Sequence, residues 1–377
     1  MAGRADGEGG RRPHGRIVTQ ALAAGSTIGI IGGGQLGRML AMAAARLGYR
    51  TVILEPQADC PAAQAANRQI VAAYDDRAAL AELTAACDVV TYEFENVPVE
   101  AAKFLAAAVP VHPPARALEV AQDRLAEKTF LNGIGISTAD FRPVDNDHDL
   151  AAALAAFGGS GILKTRRMGY DGKGQRVFRQ SAGDVAGIFD AMGGVPLILE
   201  SFVSFEREIS VIAARGADGA LAAYDPAENI HRAGILHTST VPALIRPDTK
   251  KAAVEAAFAI LQALDYVGVV GVELFVLPDG SILANEIAPR VHNSGHWTEA
   301  ACAVSQFEQH IRAVAGLPLG DTRRHSSCVM ENLIGDDVLR AEALLAEPDL
   351  VLHLYGKSAA RPGRKMGHFT RLKPAGI

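Results

Sequence analysis

Apolar and polar positions along this chain switch between two periods. Thr27 to Gly32 (TIGIIG) is a short apolar run of strand character that enters a glycine turn. From Gln35 to Leu47 the apolar residues Leu36, Met39, Leu40, Ala43 and Leu47 recur at helical spacing, and Gly48 stops the helix. Thr51 to Leu54 is a second strand, ending at Glu55-Pro56. The chain thus opens as βαβ, which predicts a parallel sheet with right-handed crossovers. Val89 to Phe94 adds a strand, and the segment up to residue 122 completes a first domain, residues 26–122.

A second region, residues 123–320, starts with a helix over Arg124 to Asn132. Strands are predicted at Gly161 to Lys164, Pro196 to Glu200, Arg207 to Ala214, Val269 to Val276 and Ser281 to Ile287. The turn Pro278-Asp279-Gly280 between the last two is a strong hairpin signal. These short runs are of antiparallel type, so this region reads as α+β, whereas the first is α/β. Residues 321–377 read as a small β-rich piece. Residues 1–25, rich in Gly, Arg and Ala with little periodicity, read as a disordered extension.

Composition narrows the function. With 377 residues the chain has room for two or three domains, and its net charge of -5 argues against a nucleic-acid-binding scaffold. Cys60, Cys87, Cys302 and Cys328 form no C-x-x-C pair and read as buried thiols of a cytoplasmic protein. No apolar run approaches the ~18 residues that a membrane span needs, and no signal-peptide core is present.

Six clusters carry chemistry. Gly32, Gly34 and Gly37 form G-x-G-x-x-G between strand and helix, with Glu55 where a ribose contact would fall. Alone this indicates an anionic group, even a dinucleotide, near the turn; the alternative is a turn needing glycine for packing. In TRRMGYDGKGQ, Gly169, Gly172 and Gly174 surround Arg166, Arg167 and Lys173, with Lys164 at the preceding strand end. Such a cationic loop can fold over a triphosphate, unless it is merely a solvated basic hairpin. Glu200 and Glu208 could accept from an adenine amino group or a ribose hydroxyl, or be surface charges. Glu273 (GVVGVELFV) and Glu286 (ILANEIAPR) sit inside apolar runs, where an unpartnered acid is costly. A Mg²⁺ ion shared with nucleotide phosphates removes that cost. Arg290, His292 and Asn293 follow within a few residues and could hold a small planar anion such as bicarbonate. Lys357, Arg361, Arg364, Lys365 and His368 form a basic C-terminal cluster suited to a phosphate monoester, or a solvated turn.

Taken in order, GGGQLGRML, YEFENV, KTRRMGYDGKGQ, VELFV, NEIAPRVHNSGHWT and RPGRKMGH resemble the N5-carboxyaminoimidazole ribonucleotide synthetases from about Thr27 to Phe369. The resemblance implies a Rossmann-like N-terminal domain, a central ATP-grasp domain and a small C-terminal domain. It implies an ATP- and Mg²⁺-dependent ligase that carboxylates 5-aminoimidazole ribonucleotide with bicarbonate through carboxyphosphate, in a homodimer. Carried over by position, Arg124, Lys164, Glu200, Glu208, His231 and Asn285 would contact ATP, together with Gly169, Gly172, Lys173 and Gly174 of the loop. Glu273 and Glu286 would hold Mg²⁺, and Arg290, His292 and Asn293 bicarbonate. Gln35, Glu95, Tyr170, Asp171, Lys357 and Arg364 would hold the aminoimidazole ribonucleotide. Asp171, Lys357 and Arg290 would be catalytic, with Asp171 taking the amine proton. The glycine turn thereby moves from a dinucleotide to the substrate side. The sequence departs from the family in the segment before residue 26 and in stopping soon after Gly367-His368, which implies an incomplete last domain. Two competing readings remain at this point. One is another ATP-grasp enzyme, such as a formate-dependent glycinamide ribonucleotide transformylase or a biotin carboxylase. The other is an NAD-binding dehydrogenase or dinucleotide-binding module.

Overall fold

A computed structural model describes residues 21–169, 174–180 and 185–374. Tyr170, Asp171, Gly172 and Lys173, four of the expected site residues, lie outside them.

The first domain is the expected parallel sheet. β1 (Thr27–Ile31), β2 (Arg50–Leu54), β3 (Arg68–Ile70) and β4 (Val89–Tyr92) lie in the order β3-β2-β1-β4. β1 is buried on both faces, hence its unbroken apolar run. The helix Gln35–Arg46 turns Leu36, Met39, Leu40 and Ala43 inward, as its spacing demands. The expected extension of residues 1–25 is corrected at its end. The Leu22 amide donates to the Ala315 carbonyl at 2.9 Å, the Gly25 amide to Gly48 at 2.8 Å, and the Tyr49 hydroxyl to the Leu22 carbonyl. Leu22 also packs on the main core, so residues 21–25 belong to the fold.

Two antiparallel sheets follow. β5 (Phe141–Val144), β6 (Gly161–Thr165), β7 (Gln175–Phe178) and β8 (Leu197–Glu200) form the smaller, in the order β5-β8-β6-β7. The larger has nine strands. β9 (Arg207–Arg215), β10 (Leu221–Ala223), β11 (Ala227–Arg232), β12 (Ile235–Val241), β13 (Gly268–Val276) and β14 (Ile282–Ala288) come from the middle of the chain. β15 (Ser326–Ile334), β16 (Leu350–Leu354) and β17 (Lys365–Pro374) come from its end. Their order is β14-β13-β9-β11-β12-β15-β17-β16, with β10 on β9. The C-terminal strands therefore extend the central sheet through the β12–β15 ladder rather than forming a piece apart.

The sheet is double-faced where the site lies. On β9, Ile209, Val211 and Ala213 enter one apolar core with the helix Pro247–Ala263, while Ile212 and Ala214 enter another with the helix Gln306–Val314. Alternation with period two assigns them to opposite faces. Each buried Ile or Val among them contributes about 1.5–3 kcal/mol. These paired cores hold β13 and β14 rigid, and the acids on those strands inherit that rigidity.

Candidate active site

A polar cavity of about 370 Å³ opens where the two antiparallel sheets and the first domain meet. Glu273 and Glu286 reach it from β13 and β14, where they are direct cross-strand partners. The register shifts immediately after Glu273, a bulge of the kind that re-aims side chains beside functional sites. Burial first, then the neighbouring Glu286, pushes the Glu273 carboxyl up to about 7, with His231 pulling the other way. Two carboxylates held side by side in one cavity fit a divalent cation. Among the described residues no group of three or more His, Cys, Asp or Glu could hold a metal unaided. This pair therefore matches Mg²⁺, which takes one or two carboxylates and completes its shell with water and phosphate.

A cationic wall faces the pair. The Lys164 ammonium at the end of β6 lies 2.8 Å from Glu200 Oε2. Lys128, from the helix Arg124–Gly133, is fully buried, with its Nζ 3.5 Å from the same oxygen and donating to the Asn285 carbonyl at 3.3 Å. Burial raises the Glu200 pKa, but Lys164 and Lys128 outweigh it and hold the carboxyl below its usual range. Arg124 approaches Glu286 at 3.4 Å and donates to the Gly169 carbonyl at 3.3 Å, tying the glycine loop to the acids. Arg166 grips Asp123 through two bonds of 2.9 and 2.8 Å. His231 on β11 faces Glu208 on β9 at 2.5 Å.

The residues expected to hold an anion follow β14. The Arg290 guanidinium pairs with Glu95 and donates to the Val291 carbonyl at 3.0 Å. Burial alone would raise the Glu95 carboxyl, but Arg290 holds it down. The His292 ring stands 3.7 Å from Glu273, and burial with Arg290 nearby keeps it neutral. Both polar atoms of the buried Asn293 amide lack a hydrogen-bond partner among the described residues. An amide so placed, next to a half-buried guanidinium and a neutral imidazole, could accept a small anion.

The glycine turn is occupied from within. Glu93, two residues before the predicted Glu95, points its carboxylate into the turn. Its Oε1 accepts from Gly34 at 2.8 Å and its Oε2 from Gly37 at 3.1 Å. A Cβ at Gly32 would come within 2.4 Å of Glu93 Cγ. Glu55 accepts from the Gly33 amide at 2.9 Å instead of reaching a ribose. The expected external anion at this turn is thus corrected: the chain supplies its own, which removes the dinucleotide reading.

Of the expected residues, Glu95, Arg124, Lys164, Gly169, Glu208, His231, Glu273, Asn285, Glu286, Arg290, His292 and Asn293 all line the cavity. Glu200 lies behind Lys164. Gly174 closes the loop with φ +68°, where a Cβ would meet Thr165 Oγ1 at 2.7 Å. Lys357 donates to the Lys365 carbonyl at 2.7 Å, and Arg364 to that of Ala359 at 2.9 Å, both outside the cavity lining. Burial, then Arg364, brings the Lys357 amine down to about 8. Gln35 begins the helix after the glycine turn, also outside the lining. Arg166 of the cationic loop and Lys365 of the C-terminal basic cluster also line the cavity, as does Glu127, which no sequence pattern singles out; Glu93 and Lys128, equally unsignalled, stand behind the lining. Glu127 accepts from the Ile287 amide at 2.6 Å, and burial with Glu286 nearby pushes it up to about 8.

A nucleotide-sized cleft between two antiparallel sheets, with paired acids opposite a wall of cations, defines an ATP-grasp ligase. Residues 129–307 match the ATP-grasp domain, 25–122 the ribonucleotide synthetase preATP-grasp domain, and 328–375 the phosphoribosylaminoimidazole carboxylase C-terminal domain. The chain is 67% identical to the N5-carboxyaminoimidazole ribonucleotide synthase of Brucella melitensis over 95% of its own length and 99% of that protein's. It is 48% identical to the enzyme of Pseudomonas aeruginosa, over 91% and 93%. Among solved structures, the Thermus thermophilus synthetase superposes with a TM-score of 0.86 at 47% identity, covering 92% and 93%. An Aspergillus clavatus synthase in complex with ADP and 5-aminoimidazole ribonucleotide superposes at 0.86 with 34% identity, covering 93% and 94%. The chain belongs to the N5-carboxyaminoimidazole ribonucleotide synthase family and is an ATP-dependent ligase of purine biosynthesis.

Proposed function

We propose that this enzyme joins bicarbonate to the 5-amino group of 5-aminoimidazole ribonucleotide at the expense of ATP, with the roles of its side chains as follows. Arg124 and Lys164 hold the nucleotide phosphates, and His231 with Glu208 and Asn285 hold the remainder of the nucleotide. Glu273 and Glu286 would hold Mg²⁺, which supplies charge neutralisation on the phosphates. Arg290, His292 and Asn293 fix bicarbonate so that one oxygen can attack the γ-phosphorus. The bond to the bridging oxygen breaks, giving ADP and carboxyphosphate. Carboxyphosphate collapses to CO₂ and phosphate within the closed cavity, where water is excluded. The amine nitrogen then attacks CO₂ and forms the carbamate. Asp171 accepts the proton released from nitrogen, and Lys357 with Arg364 orients the substrate from the cavity edge.

The observation that carries this reading is the Asn293 amide, unpartnered among the described residues, beside the half-buried Arg290 and the Glu273–Glu286 pair. It supports an anion cradle beside a metal-ready pair. No helix among the described residues is long and apolar enough to cross a membrane. We place the enzyme in the cytoplasm, as a homodimer.

The test is ADP release by the purified protein with ATP, Mg²⁺ and bicarbonate, with and without 5-aminoimidazole ribonucleotide. Strong stimulation by the nucleotide together with a bicarbonate requirement is expected. Turnover supported by formate or biotin in place of these would overturn the assignment.

A further inference from the structure

The sequence motifs HNSGHW and RPGRKMGH contain two histidines, His296 and His368, that the reading above leaves without a role. Both are fully buried. Their rings lie 4.7 Å apart, and the Tyr355 hydroxyl pairs with His368 Nδ1 at 2.8 Å. On its other side His296 meets Gln306, a residue of no motif, which opens the helix Gln306–Val314 and is fully buried.

The Gln306 side chain makes three bonds, all to the anion loop. Its Oε1 accepts from the His292 backbone amide at 2.9 Å. Its Nε2 donates to the His292 carbonyl at 2.7 Å and to His296 Nδ1 at 3.0 Å. The backbone N–H can only donate, so it fixes which end of the amide is oxygen. One carboxamide thus pairs with both backbone groups of a single residue, as a neighbouring strand would. The loop is built around it: the Gln306 backbone amide donates to Thr298 Oγ1 at 3.0 Å, and a Cβ at Gly295 would lie 2.7 Å from Gln306 Oε1. The helix that carries Gln306 also packs Phe307 and Ile311 into the core with Leu36, Met39 and Leu40 of the first domain. The loop is therefore referenced to the rigid junction of two domains.

We propose that Gln306 is a positioning residue for bicarbonate, setting the His292 backbone, and with it the His292 ring and the Asn293 amide, at the angle the anion requires. This rests on the reading of Arg290, His292 and Asn293 as the bicarbonate cradle. Gln306 touches no substrate, so its loss acts through the loop and weakens bicarbonate more than ATP, which is held by other strands.

Gln306→Met removes all three bonds with little change in volume. Gln306→Glu keeps the acceptor to the His292 amide and removes both donors. Steady-state ADP release at varied bicarbonate and at varied ATP, in the presence of 5-aminoimidazole ribonucleotide, separates the effects. The expected result is a KM for bicarbonate raised about tenfold or more, the range typical for loss of an outer partner of a binding group, with the KM for ATP within about twofold of wild type. Gln306→Glu should fall between wild type and Gln306→Met. An unchanged KM for bicarbonate, or equal rises in both KM values, would overturn the proposal and leave Gln306 a stability residue. If Gln306→Met does not fold, the ratio of the two KM values in Gln306→Glu decides alone. The wild type run alongside keeps the two ideas apart: a wild type without bicarbonate dependence refutes the cradle itself, while a normal wild type with insensitive variants refutes only Gln306.

Discussion

Glu200 is caught between two ammonium groups, and its replacement has a cost that can be worked from the geometry. Its side chain is 5% exposed, those of Lys128 and Lys164 are 1% and 15% exposed, and the two Nζ atoms stand 3.5 and 2.8 Å from the same oxygen. Glu200→Gln leaves one buried and one half-buried cation facing a neutral amide, and breaking a buried pair in this way costs about 3–5 kcal/mol. Lys128→Met removes one cation, leaves the Lys164 pair standing, and strips the Asn285 carbonyl of a donor, at about 1–3 kcal/mol. Independent effects would sum to about 4–8 kcal/mol in the double variant. The geometry says otherwise. With Lys128 gone, a Gln at 200 faces a single, partly solvated cation to which its amide oxygen can accept. The double variant should therefore be no less stable than Glu200→Gln alone, a coupling at least equal to the Lys128→Met cost of about 1–3 kcal/mol. The chain has a single tryptophan, the fully buried Trp297, so guanidinium unfolding can be followed by its emission. Additivity within about 0.5 kcal/mol would refute the shared-oxygen account.

Three further outcomes are expected. Glu286→Gln should lose nearly all activity through loss of Mg²⁺, with an apparent magnesium requirement shifted upward in titrations; an unshifted requirement would assign the ion elsewhere. Asp171→Asn should lower turnover more than ATP affinity, and unchanged turnover would remove Asp171 from the chemistry. Lys357 holds its charge only below about 8, because its folded pKa lies beneath its ordinary value. The KM for 5-aminoimidazole ribonucleotide should therefore rise as pH climbs through that point, and Lys357→Gln should flatten the rise; a rise that persists in the variant would place the titrating group elsewhere.

The sequence exposed those parts of the site whose residues break a pattern. Glu273 and Glu286 stand out because each interrupts an apolar strand, and the fold then pairs them in register. The glycine loop and Arg290-Val291-His292-Asn293 are visible because cations and amides crowd into a few positions. Glu127 and Lys128 were invisible for the opposite reason. On an amphipathic helix they look like solvent-facing charges, and only the approach of β14, with bonds to Ile287 and Asn285, buries them. Glu93 was hidden by its neighbour Glu95: in YEFEN nothing local says which acid turns inward toward the glycine amides and which toward Arg290. The first domain followed from its helical and strand periods. The continuity of the last strands with the central sheet did not, because strand order is set by pairings between distant segments.

That continuity changes what the end of the chain does. β17 is held between β15 and β16, β15 is laddered to β12, and the ladder runs on through β11, β9 and β13 to the strand bearing Glu286. A cut in the exposed connection around Asp321–Arg323 would therefore leave two fragments bound edge to edge rather than a released tail. Damage to the final strands would be felt as a failure to hold nucleotide, and bound nucleotide would in turn protect the far end of the chain from proteolysis.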